Sequence, residues 1–303
     1  MLVFLNGRIV PEEAAVVSVF DRSFLYGDGL FETLRVFNSK PFRWGQHLER
    51  LRRGAEFLKI RLPLQGDALR GVAEQLISRN QMPDALLRVT LSRGVGIRGY
   101  SPAGAENPTL VMSLHPAPGA PVSGPAFGDG GSAHAGPEAG ASNPRLRPRW
   151  KLVTSSFRIP ANEPLAQYKT CNKLPQILAR AEADAAGADE ALLLNTDGLV
   201  VEAASSNLFW IEGNAVCTPP LATGILAGVT RAVVLEICAS LGVATHEAGT
   251  TVSALRRCGG VFLSLSSWGV VEAKSVDGQT LKSSTLVARI RRAYRDLLHA
   301  ETQ

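Results

Sequence analysis

Three short stretches carry residue types that could do chemistry together. The first, Tyr168-Lys-Thr-Cys-Asn172, sets a lysine just ahead of a helical stretch. Taken alone, Lys169 reads as a surface lysine, but its neighbours along the chain change that. Thirty-three residues later, Val201-Glu-Ala-Ala-Ser-Ser-Asn-Leu-Phe209 places an acid, Glu202, directly after a strand in a loop of small residues. The third stretch, Gly224-Ile-Leu-Ala-Gly-Val-Thr-Arg231, opens a helix with small residues and a hydroxyl. Free N–H groups and the helix dipole make such an opening an anion site. A lysine can form a Schiff base, an acid can keep a pyridine nitrogen protonated, and a helix N-terminus can hold a phosphate. Those are the three parts that pyridoxal 5'-phosphate requires.

Other patterns carry less. Gly94-Val-Gly-Ile-Arg-Gly99 has the spelling of a dinucleotide fingerprint, but that motif needs a helix at once after its glycines. Here Tyr100-Ser-Pro102 follows and blocks one. The stretch reads instead as a glycine-rich loop displaying Arg98 and Tyr100, and Arg98 could clamp a substrate carboxylate. Cys171, Cys217, Cys238 and Cys258 form no Cys-x-x-Cys pair, so no metal site is expected, and they read as reduced thiols of a cytoplasmic protein. A net charge of +5, from 32 basic and 27 acidic residues without a basic run, argues against nucleic acid as a partner. No apolar run is long enough to cross a membrane, and the first residues do not read as a secretory signal.

The three stretches belong to a longer ordered series. It begins with Asp21-Arg22, Tyr26-Gly-Asp-Gly-Leu-Phe-Glu-Thr33 and His47-Leu-Glu-Arg-Leu51, and it ends with the segment from Ser264 to Gly278. In this order the chain resembles the class IV aminotransferases, the fold-type IV pyridoxal phosphate enzymes, from about Phe4 to Gly278. The resemblance implies a two-domain α+β fold with the cofactor in the cleft between domains, and a homodimer in which the partner's loop closes the pocket. It also implies roles. Lys169 would be the Schiff-base lysine and acid/base; Lys173 is the rival, but Lys169 stands three before Asn172, the family spacing. Glu202 would partner the pyridine nitrogen. Arg50, Val229, Thr230 and Ser266 would hold the phosphate, with Ser267 beside the substrate. Leu226 would pack on the ring, and Ser206 and Asn207 would support the cofactor loop. His47 reads as a packing histidine, Phe31 and Leu34 as core, and Glu32 as near the site without a catalytic role.

Departures within the family point to a reaction. Branched-chain aminotransferases usually carry Gly-Asn-Tyr after the lysine, whereas here Asn172 is followed by Lys173. D-amino acid aminotransferases carry Arg-x-His in the loop that here reads Arg98-Gly-Tyr100. That loop and the Tyr168–Arg180 segment look most like 4-amino-4-deoxychorismate lyase. The expected activity is therefore release of 4-aminobenzoate and pyruvate, a step toward folate. The alternative is an aminotransferase for branched-chain or D-amino acids with a 2-oxo acid acceptor. A more remote one is a binding protein of the same fold without catalysis.

These residues need elements to position them. Of 303 residues, 45% are hydrophobic and 19% charged, enough for a sizeable core. Residues 1–115 read as an α+β domain. Leu2–Leu5 and Arg8–Val10 form a hairpin about Asn6-Gly7, Leu30–Phe37, Leu86–Ser92 and Thr109–His115 are strands, and Trp44–Leu58 and Asp67–Arg79 are helices. Residues 148–303 read as the cofactor-binding α+β domain. Strands are expected at Lys151–Ser155, Ala191–Asn195, Leu199–Val201, Leu208–Ile211, Ala215–Thr218, Val261–Leu265 and Val270–Val276. Helices are expected at Asn172–Ala186, Thr230–Leu241 and Leu286–His299. Between the two lies a linker or inserted loop, 116–147. From Pro116 to Pro144, 23 of 29 residues are Gly, Ala, Pro or Ser, too few apolar groups to offset the entropy of ordering.

Overall fold

The structure, a computed structural model, describes residues 1–64, 66–118 and 149–303. The 116–147 linker therefore lies, from residue 119 on, outside the described residues.

The first half builds a six-stranded antiparallel sheet. Its elements are β1 (Leu2–Leu5), β2 (Arg8–Pro11), α1 (Arg22–Tyr26), β3 (Gly29–Phe37), β4 (Lys40–Pro41), α2 (Trp44–Leu58), α3 (Gly66–Asn80), β5 (Ala85–Ser92) and β6 (Thr109–Pro116). Strand order is β2-β1-β6-β5-β3-β4. Asn6 and Gly7 both adopt positive φ, as a two-residue hairpin between right-twisted strands requires. On β3, alternate residues Leu30, Leu34 and Val36 face a core that also takes Leu51 and Ala55 of α2 and Leu69, Ala73 and Leu76 of α3. The opposite face, with Phe31, Thr33 and Arg35, is half-buried.

The second half comprises β7 (Trp150–Ile159), α4 (Leu174–Ala185), β8 (Glu190–Asn195), β9 (Val200–Ala203), β10 (Asn207–Glu212), β11 (Ala215–Thr218), α5 (Val229–Ser240), β12 (Thr245–Glu247), α6 (Val252–Leu255), β13 (Val261–Leu265), β14 (Gly269–Val276), β15 (Gln279–Thr280) and α7 (Thr285–Glu301). The sheet runs β12-β11-β10-β13-β14-β7-β8-β9, and β9 returns to pair with β10. Six strands thus close on themselves as a barrel, a solution that leaves those strands no free edge. The closing pair is Glu202 opposite Asn207. Buried leucines and valines with Trp150 and Trp210 form the barrel's core, and β-branched and aromatic residues fill the space under α5 and α7, where Phe209 stacks on Phe262 at 4.9 Å.

Two expectations shift. The helix expected from Asn172 begins at Leu174, with Pro175 in its first turn and Lys173 outside helical geometry. Residues 169–171 are extended instead, because their backbone is spent on β3: the Phe31 N–H donates to the Lys169 carbonyl and the Cys171 N–H to the Gly29 carbonyl. Asn38-Ser-Lys-Pro41 reads in the sequence as a turn after the strand, and its last two residues supply β4. The short α1, α6, β12 and β15 carry too little periodicity to be read from sequence.

Candidate functional site

Lys169 enters the site on that extended segment. A bridge between Leu30 and Thr170 ties it to β3. Its Nζ stands 4.7 Å from the centre of the Phe31 ring. Phe31 is thus not core, as its apolar character suggested, but half-buried beneath the lysine. Leu34 is core, as read. Burial, and then the nearby Arg50 charge, lower the Lys169 ammonium from 10.5 to about 8. A low-dielectric pocket disfavours the charged form, so the amine is neutral far more often than in water.

Glu202 lies at the barrel closure. Its Oε2 accepts the Leu226 N–H at 3.1 Å. Asn207 donates through Nδ2 to the Leu226 carbonyl at 2.9 Å. Both backbone groups of Leu226 are therefore held, and the 224–228 loop is pinned to the barrel wall. Gly228 is required in this arrangement: a Cβ there would meet the Asn207 Oδ1 at 1.9 Å. Burial pushes the Glu202 carboxyl up from its usual range, against the pull of the Leu226 N–H, Lys173 and Lys169.

From that loop the chain enters α5 at Val229, and no side chain caps this N-terminus. Its first N–H groups point out of the helix with no partner of their own in the turn below. Val229 and Thr230 are buried there. Arg50 of α2 reaches the same place, with Nη1 donating to the Ala227 carbonyl at 2.9 Å. Ser206 and Ser264 carry buried hydroxyls without a partner among the described residues, and Ser264 sits opposite Asn207 in the β10–β13 ladder. Ser266 and Ser267 occupy the half-buried β13–β14 turn just beyond. A guanidinium, an uncapped helix N-terminus and orphan hydroxyls make a cradle for a phosphate; a depressed amine and a raised carboxyl complete the set. These residues fit pyridoxal phosphate.

Two of the expected substrate residues are placed differently. Arg98 and Tyr100 are exposed, Tyr100 at 88%, and make no hydrogen bond or ion pair with Lys169, Arg50 or Glu202. Their loop is gripped from behind by Arg22, whose guanidinium donates to the Gly99, Tyr100 and Ser101 carbonyls at 2.9–3.2 Å. Arg22 in turn is paired with Asp28 at 2.9 Å.

Two residues at the site escaped sequence reasoning, and a third was read only as near it. Glu32, read as near the site without a catalytic role, and His47, read as packing, are joined at 2.8 Å, and Glu32 also binds Arg50. Burial pushes the His47 imidazole below its usual value, so it stays neutral. Arg88 of β5 lies with its guanidinium carbon 4.0 Å from the Phe31 ring centre, on the face opposite the core. A strand arginine alternating with apolar residues reads as solvated, so no sequence signal marked it.

A family model described as amino-transferase class IV matches residues 29–276. Among relatives, a Methanocaldococcus jannaschii protein provisionally assigned as a branched-chain-amino-acid aminotransferase is 30% identical over 98% of this chain and 96% of its own length. The aminodeoxychorismate lyase of Bacillus subtilis is 30% identical over 80% of this chain and 75% of its own. The structure of the branched-chain aminotransferase of Thermoproteus uzoniensis with norvaline superposes with a TM-score of 0.85 at 26% identity, covering 99% of this chain and 96% of that one. A match over most of the chain, in sequence and in fold, shows that this protein belongs to the class IV aminotransferases, a family of pyridoxal phosphate enzymes.

Proposed function

We propose that the chain is a 4-amino-4-deoxychorismate lyase, releasing 4-aminobenzoate and pyruvate. The observation that carries this reading is the surplus of cations around Lys169. Arg88 donates only to the Thr90 hydroxyl, at 3.2 Å, and Lys173 lies half-buried toward Glu202; neither forms an ion pair among the described residues. Aminodeoxychorismate brings two carboxylates to such a site, where a branched-chain amino acid brings one.

Pyridoxal phosphate, when bound, supplies an aldehyde carbon for the amino group and a ring that accepts negative charge. Lys169 would hold it through Nζ, and the same Nζ would take the proton from the substrate carbon bearing the amino group. That the amine is half deprotonated near pH 8 suits it to both tasks. Glu202 holds the proton of the pyridine nitrogen, and its raised affinity for protons strengthens that contact. Arg50 with the N–H groups of Val229 and Thr230 holds the phosphate, helped by Ser266. Leu226, Ser206 and Asn207 shape the wall, and Ser267 faces the substrate. Arg88 orients a carboxylate.

Fluorescence-detected 4-aminobenzoate release from enzymatically generated aminodeoxychorismate tests the reading. Wild type should release it, and Lys169→Ala should not and should also lose the coenzyme's visible absorbance. A yellow wild-type protein that releases none would move the assignment to the second reading, an aminotransferase for branched-chain or D-amino acids. The full-length similarity to the M. jannaschii relative supports that alternative.

A homodimer belongs to the same proposal. The Arg98–Tyr100 loop is held outward, where a second copy's cleft could use it.

A further inference from the structure

The roles above leave Glu32 without a task, although it is a charge 2% exposed on β3. A buried acid needs a reason. Ion pairs in a core are often matched or bettered by apolar residues of similar volume, so stability alone is a weak one. Its contacts supply another. Glu32 Oε1 accepts the Arg50 Nε at 2.8 Å and Oε2 accepts Nη2 at 2.6 Å, a bidentate grip that fixes the guanidinium plane. His47 buttresses the same Oε2 through Nδ1 at 2.8 Å. Because Glu32 is ionised and can only accept, Nδ1 carries the proton. The third contact of Arg50, Nη1 to the Ala227 carbonyl, lies across the cleft at the entry to α5. Of a guanidinium's five N–H bonds three are thus spent, and those left sit on the two terminal nitrogens.

We infer that Glu32 is a positioning residue for phosphate recognition: it aims Arg50 at the anion site before α5 and neutralises it beside Lys169. The inference rests on the pyridoxal phosphate reading. It makes a claim whose sign is open to test. By charge alone, removing an anion near a phosphate site strengthens phosphate binding. By positioning, removing it frees Arg50 to turn away and weakens binding. Gln at 32 would also set an amide donor against the Arg50 donors. Glu32 also opposes the effect of the Arg50 charge on the Lys169 amine.

The test titrates the full-length, cofactor-free chain with pyridoxal 5'-phosphate and with pyridoxal, which has the aldehyde but no phosphate. The dissociation constant for pyridoxal divided by that for pyridoxal 5'-phosphate measures phosphate recognition. Glu32→Gln is expected to lower that ratio about tenfold or more, the scale of a lost charge-assisted contact, while leaving pyridoxal binding nearly unchanged. Arg50→Met should lower it similarly, and the double variant should fall no further, since the two act as one unit. An unchanged or larger ratio in Glu32→Gln, or an additive double variant, overturns the inference. A wild type with no preference for the phosphorylated form overturns the cofactor reading instead. Glu32→Asp, which keeps the charge and shortens the reach, should show a smaller fall and serves if circular dichroism shows Glu32→Gln unfolded. An Asp variant with wild-type preference would then count against positioning.

Discussion

At pH 7 an ordinary lysine is almost wholly charged and a poor nucleophile, but Lys169 titrates at about 8 because burial and Arg50 disfavour its ammonium. Uptake of pyridoxal phosphate by the cofactor-free protein should therefore rise about tenfold per pH unit below pH 8 and level off above it. Stopped-flow absorbance over a pH series checks this, and a plateau near the ordinary 10.5 would show an amine bathed in water. Glu32 titrates in the opposite sense. Burial alone would raise its carboxyl, but the Arg50 charge and the bonds to Arg50 and His47 win and hold it at about 2. A carboxyl depressed from 4.5 gives stability that is present above 4.5 and lost as pH falls toward 2. Wild type should lose more Tm than Glu32→Gln between about pH 5 and pH 3. The two groups differ in how far they could be read in advance. Lys169, Glu202, Asn207, Val229 and Thr230 each lie in one contiguous stretch whose local residues announce the chemistry. Glu32, His47 and Arg88 do not, because each acts through a contact between separate elements, and no spacing along one strand or helix records it.

At the scale of elements, the strongest local signals became the observed structure. Trp44–Leu58 forms the helix its apolar spacing predicts, and the Leu208–Thr218 hairpin turns where its glycine stands. Residues 169–171 were harder to read, because their backbone pairs with β3, far away in sequence. The same holds for the barrel closure, where one pair, Glu202 with Asn207, joins strands and aligns the site. The loop before α5 depends on that closure sterically. Gly228 has an ordinary φ of −69°, so alanine there is conformationally allowed, yet its Cβ would overlap the Asn207 side chain. Gly228→Ala should cost about 1–3 kcal/mol, the usual range for overpacking, and should weaken cofactor binding with it. Gly71→Ala is the control: it lies inside α3 with nothing within 4 Å of its Cβ, and should stabilise by about 0.5–1 kcal/mol through helix propensity. Urea midpoints of the two variants should move in opposite directions.

Across the whole molecule, the two sheets meet through α2. Arg43 at its start pairs with Glu236 of α5 at 2.8 Å and Glu301 of α7 at 2.9 Å, Gln46 donates to Glu236, and Phe37 meets the His299 ring edge-on at 4.7 Å. Arg50, further along the same helix, then falls at the α5 N-terminus, so the clamp and the phosphate cradle share one register. A second feature at this scale concerns what is left uncovered. Phe24 of α1 is 73% exposed, Ile97 72% and Ile177 of α4 61%, with Val16, Val19 and Phe20 exposed as well. The elements that carry them adjoin: Gly27, just after α1, packs on Asn172, just before α4, and Arg22 of α1 holds the loop that carries Ile97 and Tyr100. A soluble monomer rarely leaves so much apolar surface together. A second copy of the chain would cover it, and the patch adjoins the Lys169 segment, so pairing would also wall the cleft. Sedimentation should find the wild type at twice 32.3 kDa at micromolar concentration. Phe24→Asp combined with Ile177→Asp should shift it toward the monomer and lower kcat far more than Tm, because neither side chain supports the core of its own chain. A wild type that sediments as a monomer would leave the homodimer without support and the patch to another partner.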